Sequence, residues 1–216
     1  MSRYKSAIFD LDGTLLNTLP DLMNSVNYVL KKNNQPIRTY DEVRRFVGNG
    51  IRKLMERATP DDISTELFEK EYQEFQDHYQ LHCMDDTVPY DGMMRLLKYL
   101  QDNGIKTAIV SNKNDSAVQK LYQHYFCDEI DTARGIKEGM KTKPNPDVGF
   151  SAMNEINAER ESSIYIGDSD VDAATAKNLG LDCILVSWGF KDREFLQQFD
   201  VMKIADTVDD IIEILN

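Results

Sequence analysis

The chain has 216 residues, 41% hydrophobic and 29% charged, and 37 acids against 25 Lys plus Arg leave a net charge of −12. That length supports one substantial domain, or a medium core with a smaller accessory unit. The acidity excludes a nucleic-acid binder working through a basic face, while a local cationic or metal-lined pocket for a phosphorylated molecule stays open.

The first apolar run, Ser6 to Phe9, stops at Asp10. The stretch MSRYKSAIFD is too short in apolar residues for a signal peptide. From Leu15 to Asp86 the pattern is helical. Pro20 can open a helix with Leu22, Val26, Val29 and Leu30 on one face. Asp41–Val47 and Ile51–Ala58 are shorter helices separated by Gly48-Asn49-Gly50. Glu66–His82 carries an aromatic stripe of Phe68, Tyr72, Phe75 and Tyr79, read as core. Next, Asp91 can cap a helix with Met94, Leu97 and Leu100 at helical spacing, ended by Gly104. Apolar runs Thr107–Val110, Ser163–Ile166 and Cys183–Val186 then stop at Ser111, Gly167 and Ser187, and Val171–Leu179 reads as a helix before Gly180.

Continuous apolar runs suit parallel strands buried on both faces. Their alternation with helices predicts an α/β, doubly wound, Rossmann-like parallel-sheet core, residues 1–15 plus 87–216, with an inserted all-α cap over 16–86. In such sheets ligands bind at the carboxyl ends of the strands, where these polar stops fall. Cys83, Cys127 and Cys183 give no disulfide framework or zinc spacing, and no run approaches the ~20 apolar residues of a membrane helix. A cytoplasmic protein is expected, with no nucleic-acid or membrane partner; its oligomeric state is not legible.

Asp10-Leu11-Asp12-Gly13-Thr14 ends the first strand. Two carboxylates at this spacing on an extended strand end point to the same side, one suited to act as nucleophile and metal ligand, the other as general acid and base. Gly13 permits a tight turn, and Thr14 offers a hydroxyl and an N–H to an oxyanion.

This pentapeptide resembles motif one of the haloacid dehalogenase superfamily in its phosphatase form. Ser111-Asn112 resembles motif two, Lys143-Pro144 motif three, and Gly167-Asp168-Ser169-Asp170-Val171-Asp172 motif four. The resemblance spans the chain and implies an aspartyl-phosphate intermediate on Asp10, with Asp12 as acid and base. It implies Mg²⁺ held by Asp10, Asp168 and the Asp12 backbone carbonyl, with Asp172 holding waters or orienting the site. Lys143, Ser111 and the Asn112 backbone would bind the phosphoryl oxygens. The cap is similar to that of the phosphoglycolate-phosphatase-like group over Val47–Ala58. There Gly48, Asn49 and Gly50 would offer N–H groups to an anion, and Arg52 or Lys53 would meet a substrate carboxylate or second phosphate.

Asp12 sets the chain apart from the dehalogenase and phosphonatase branches. Leu22 stands where the β-phosphoglucomutase branch carries a histidine. A small phosphorylated metabolite is the expected substrate, phosphoglycolate first, with a phosphosugar mutase, a pyrophosphatase or nucleotidase, and a non-catalytic binding protein as alternatives. Asp170, Lys113 and Lys141 read as solvated, Asn114-Asp115 as a helix cap, and His78, His82 and His124 as non-catalytic.

Overall fold

The computed structural model describes residues 3–216. In chain order, β1 (Ser6–Phe9) and β2 (Leu16–Asn17) lead into helices α1 (Leu19–Lys32), α2 (Tyr40–Phe46), α3 (Ile51–Ala58) and α4 (Thr65–His82). The chain returns through β3 (Val88–Pro89) and α5 (Met93–Asp102) to β4 (Lys106–Asn114), α6 (Asp115–Tyr125) and β5 (Thr132–Ile136). It ends with α7 (Asp147–Glu155), β6 (Ser163–Gly167), α8 (Asp170–Leu179), β7 (Asp182–Val186), α9 (Arg193–Leu196), β8 (Lys203–Ala205) and α10 (Val208–Leu215).

Six strands form one parallel sheet in the order β5-β4-β1-β6-β7-β8. Every residue of β1 is buried, as a central strand covered on both faces requires. Ala7 and Phe9 point to one face and pack with α5, α6 and α10. Ile8, between them, points to the other and packs with α7 and α8. The chain leaves β1 for β4 on one side and later returns to β6 on the other. The carboxyl ends of these three strands therefore meet at a topological switch point.

Helices α1 to α4 pack around their own cluster, built on Leu22, Val26, Leu30, Leu54, Phe75 and Tyr79. Local signals define them: Pro20 in the first turn of α1, a reciprocal Thr39–Glu42 capping box on α2, and Ser64 capping α4. The crossings to and from the sheet are bound as a short antiparallel ribbon, Leu16 opposite Pro89 and Asn17 opposite Val88. Buried Asp21 fixes the return crossing by accepting from Asp86 N (2.9 Å), Thr87 N (2.9 Å) and Thr87 Oγ1 (2.7 Å).

Two local expectations change. Gly92, with φ of 77°, occupies the N-cap of α5, and Asp91 makes no cap. Met94 is 40% exposed, while Met93, Leu96, Leu97 and Leu100 face the core. Strands β5 and β8 and the β2–β3 ribbon add to the four sheet strands read from sequence. Among the described residues no helix is long and apolar enough to cross a membrane.

Candidate active site

The carboxyl ends of β1, β4 and β6 open into one cleft with about 610 Å³ of free space, partly open to solvent. Asp10 stands at the end of β1, its N–H donating to Ile166 O (2.9 Å), which ties the motif to β6. Its Oδ1 accepts from Leu11 N (2.7 Å) and pairs with Lys143 Nζ (2.8 Å). Gly13, with φ of 84°, closes the turn, and a Cβ there would lie 2.3 Å from Asp168 Oδ2. Asp12 reaches the cleft and accepts from Thr18 Oγ1 (2.6 Å) and from Lys113 Nζ at 2.8 and 3.0 Å.

Thr14 does not reach the cleft. It is fully buried, its hydroxyl has no hydrogen-bond partner among the described residues, and its carbonyl accepts from Trp188 Nε1 (3.1 Å).

Motifs two and three converge from β4 and the loop before α7. Ser111 and Asn112 line the cleft. Asn112 Oδ1 accepts from Lys143 N (2.6 Å), and its Nδ2 donates to Gly48 O (3.3 Å) on the helical segment. The Lys143 side chain is only 2% exposed, and its ammonium meets Asp10, Asp172 (2.8 Å), Val110 O (3.1 Å) and Tyr165 OH (3.1 Å). Burial opposes its charge, yet Asp10 and Asp172 together raise its pKa well above the usual lysine range.

Ligand atoms of Asp10, Asp168 and Asp172 lie within 4.8 Å of one another. Burial, then the neighbouring Asp172, pushes Asp10 up to about 7 against the pull of Lys143. Asp168 is raised well above the carboxylate range by burial and by Asp172 and Asp10, opposed by the Phe190 N–H. Three buried carboxylates facing one ammonium leave surplus negative charge, and hard oxygen donors suit a divalent cation. The residues therefore fit such an ion. Asp172 contributes differently from the other two. Its Oδ1 accepts from Lys143 and Tyr165, and its Oδ2 from Asp168 N, Ser169 N and Ser169 Oγ. Both Asp172 oxygens are engaged with Lys143, Tyr165 and the motif-four loop, whereas Asp10 and Asp168 each keep one oxygen without a hydrogen bond among the described residues.

Gly48 and Gly50 line the cleft, but Asn49 does not; its Oδ1 accepts from Arg57 Nη2 (2.9 Å). Arg52 also lies outside the cleft lining. Its guanidinium makes a bidentate pair with Glu69 (2.9 and 2.8 Å) and stacks 4.5 Å over the Tyr72 ring. Lys53 pairs with Glu56 and is likewise absent from the lining.

Lys113 reverses its sequence reading: its side chain is 2% exposed, paired with Asp12 and 4.7 Å from the Tyr79 ring centroid on α4. Lys141 is exposed, and Asn114 caps α6 by accepting from Ser116 N (2.9 Å). His78 stacks between Tyr28 and His82, His124 is exposed, and neither they nor Asp170 line the cleft.

The loop after β7 also reaches the cleft, although no motif in the sequence announces it. Phe190 and Lys191 line the cleft, and Phe190 N donates to Asp168 Oδ2 (2.6 Å). A Cβ on Gly189 would fall 2.4 Å from Asp168 Oδ2 and 2.5 Å from Gly13 O, so only glycine passes. The signal available was the strand stop at Ser187 followed two residues later by a glycine. Leu22, Val47, Ile51 and Leu54 supply an apolar wall opposite the polar floor.

A family model described as haloacid dehalogenase-like hydrolase matches residues 7–186. A phosphoglycolate phosphatase of Pseudomonas syringae pv. syringae (strain B728a) is 32% identical, the match covering 94% of this chain and 76% of that one. Another from Colwellia psychrerythraea (strain 34H / ATCC BAA-681) is 30% identical, covering 95% and 94%. The crystal structure of a suspected phosphoglycolate phosphatase from Lactobacillus delbrueckii subsp. bulgaricus superposes with a TM-score of 0.94 at 33% identity, covering both chains completely. The chain belongs to the haloacid dehalogenase-like hydrolase family. It is a phosphatase of that family.

Proposed function

We propose that the chain hydrolyses a small phosphomonoester, with phosphoglycolate the first candidate, through a phosphorylated Asp10. The observation that carries this reading is the placement of Asp10, Asp12 and Lys143 in one cleft, with Lys143 bonded to Asp10 Oδ1 (2.8 Å). Oδ2 of Asp10 has no hydrogen bond among the described residues and is the attacking oxygen. As it bonds to phosphorus, the ester oxygen leaves and takes a proton from Asp12. Asp12 then removes a proton from the water that releases inorganic phosphate. Lys143, Ser111 and the Asn112 N–H hold the phosphoryl oxygens.

Mg²⁺ would be held by Asp10, Asp168 and the Asp12 carbonyl, where it would neutralise charge on the phosphoryl oxygens. Residues 16–86 act as a cap on a core of 1–15 plus 87–216, and closure excludes water. The latch from Asn112 to Gly48 supports this division, as does the separate apolar cluster of α1 to α4. A cytoplasmic setting is supported by three free thiols. Leu22, a lining residue, supports a hydrolase over a mutase.

The test is phosphate release across a panel of phosphoglycolate, pyrophosphate, nucleoside monophosphates and hexose phosphates. Release is expected to need Mg²⁺ and no acceptor, and to be fastest by kcat/KM on phosphoglycolate. Asp10→Asn is expected to retain less than a few per cent of the rate, as loss of a covalent nucleophile requires. Full activity in that variant would remove Asp10 from the chemistry.

A further inference from the structure

Three lysines line the cleft: Lys113, Lys143 and Lys191. Two of them already face carboxylates. Lys113 is paired with Asp12, and Lys143 with Asp10 and Asp172. Lys191 has no salt bridge and no side-chain hydrogen bond among the described residues. It is half-buried, unlike the free lysines of an open surface.

Both of its chain neighbours make contacts of their own. The preceding residue, Phe190, is bonded through its N–H to Asp168 Oδ2 (2.6 Å). The following residue, Asp192, is paired with Arg44 of α2 (2.8 Å). Gly189 lets this loop lie directly against Asp168 and Gly13. Lys191 thus lines the cleft from a loop that touches both the motif-four carboxylate and the helical segment. Of the other lining residues, Leu22, Val47, Leu54 and Phe190 carry no charge, while Asp12 is paired with Lys113, Asp10 with Lys143, and Asp168 accepts from Phe190 N. A partly desolvated cation beside apolar walls favours an anion over a neutral hydroxyl.

We infer that Lys191 selects substrates that carry a carboxylate beside the phosphate. The inference rests on the phosphatase reading above and names its substrate class. One unpaired ammonium balances one negative charge, which matches a carboxylate; a second phosphate would bring close to two. The specificity determinant then lies on the core loop after β7, while Arg52 and Lys53 of α3, expected to meet a substrate carboxylate or second phosphate, are held by Glu69 and Glu56.

The experiment compares phosphoglycolate with 2-hydroxyethyl phosphate, which replaces the carboxylate by a neutral alcohol at similar size. Kinetics are measured with Mg²⁺ for the native chain, Lys191→Gln and Lys191→Arg. The native chain is expected to prefer phosphoglycolate. Lys191→Gln is expected to lower the ratio of the two kcat/KM values about 10- to 100-fold, through KM for the acid, as loss of one charge-assisted hydrogen bond implies. Lys191→Arg is expected to recover most of that ratio. An unchanged ratio in Lys191→Gln overturns the inference, whether both rates fall together or neither falls. Native hydrolysis of the alcohol without preference for the acid also overturns it, while leaving the phosphatase reading intact. Failure to hydrolyse either ester overturns that reading, and the inference with it.

Discussion

Asp10 is held between opposing influences: burial and Asp172 disfavour its charge, and Lys143 favours it. Its pKa of about 7 in the fold, against 3.8 as the ordinary value, means the native state binds the extra proton between those limits. Stability attributable to Asp10 is therefore present at low pH and is lost as pH rises from about 4 toward 7. With EDTA present, Asp10→Asn is expected to gain stability relative to the native chain across that window, measured by urea unfolding at several pH values. A gap that stays flat with pH would contradict the assignment. Added Mg²⁺ is expected to stabilise the native chain increasingly as pH rises, because its carboxylate ligands must be deprotonated. Arg52 supplies the contrasting case. Its pair with Glu69 is about half-exposed on both sides, so Arg52→Ala is expected to cost about 1 kcal/mol or less by thermal unfolding. Steady-state kcat/KM for that variant is expected within about twofold of native; a tenfold loss would restore Arg52 to the site.

At the scale of elements, the strand ends were the legible part. Apolar runs that stop at Asp10, Ser111 and Gly167 report both burial and function, because a parallel strand is covered on both faces and presents its polar end to a ligand. Less could be read where burial is incomplete or pairing is distant. Strand β5, Thr132–Ile136, includes half-buried Arg134 and an internal glycine, so it shows no continuous apolar run. The β2–β3 ribbon joins two dipeptides more than 70 residues apart, with nothing local to announce it. Lys113 looked solvated because its partner, Asp12, is 101 positions away. Arg52 looked available because Glu69, on the next helix, carries no sign of pairing with it. Asp21 likewise gave no signal, yet it holds the return crossing through two backbone N–H groups and the Thr87 hydroxyl. Asp21→Ala is expected to cost about 2–4 kcal/mol, since buried donors lose a charged acceptor. Urea unfolding would check this, and a cost below about 0.5 kcal/mol would show that water replaces the carboxylate.

Over the whole molecule, the helical segment and the sheet meet at a polar seam around the cleft. Arg44 pairs with Asp192, Lys120 Nζ donates to Gln80 O (2.8 Å), and Asn112 reaches Gly48 O. Polar contacts of this kind are individually weak, which suits the cap opening proposed above. Among the described residues, Phe190 is the buried apolar residue from outside 16–86 that joins the cluster of α1 to α4, from a loop whose N–H binds Asp168. The seam and the acidic centre thus meet at Phe190. The proposed function rests on phosphoryl transfer to Asp10. The most direct test is rapid acid quench during turnover of phosphoglycolate with Mg²⁺, followed by peptide mapping of the denatured chain. A phosphoryl group on the peptide containing Asp10, absent in Asp10→Asn, is the predicted result. Turnover with no phosphoryl group on that peptide at any quench time, or with one on another residue, would contradict the account.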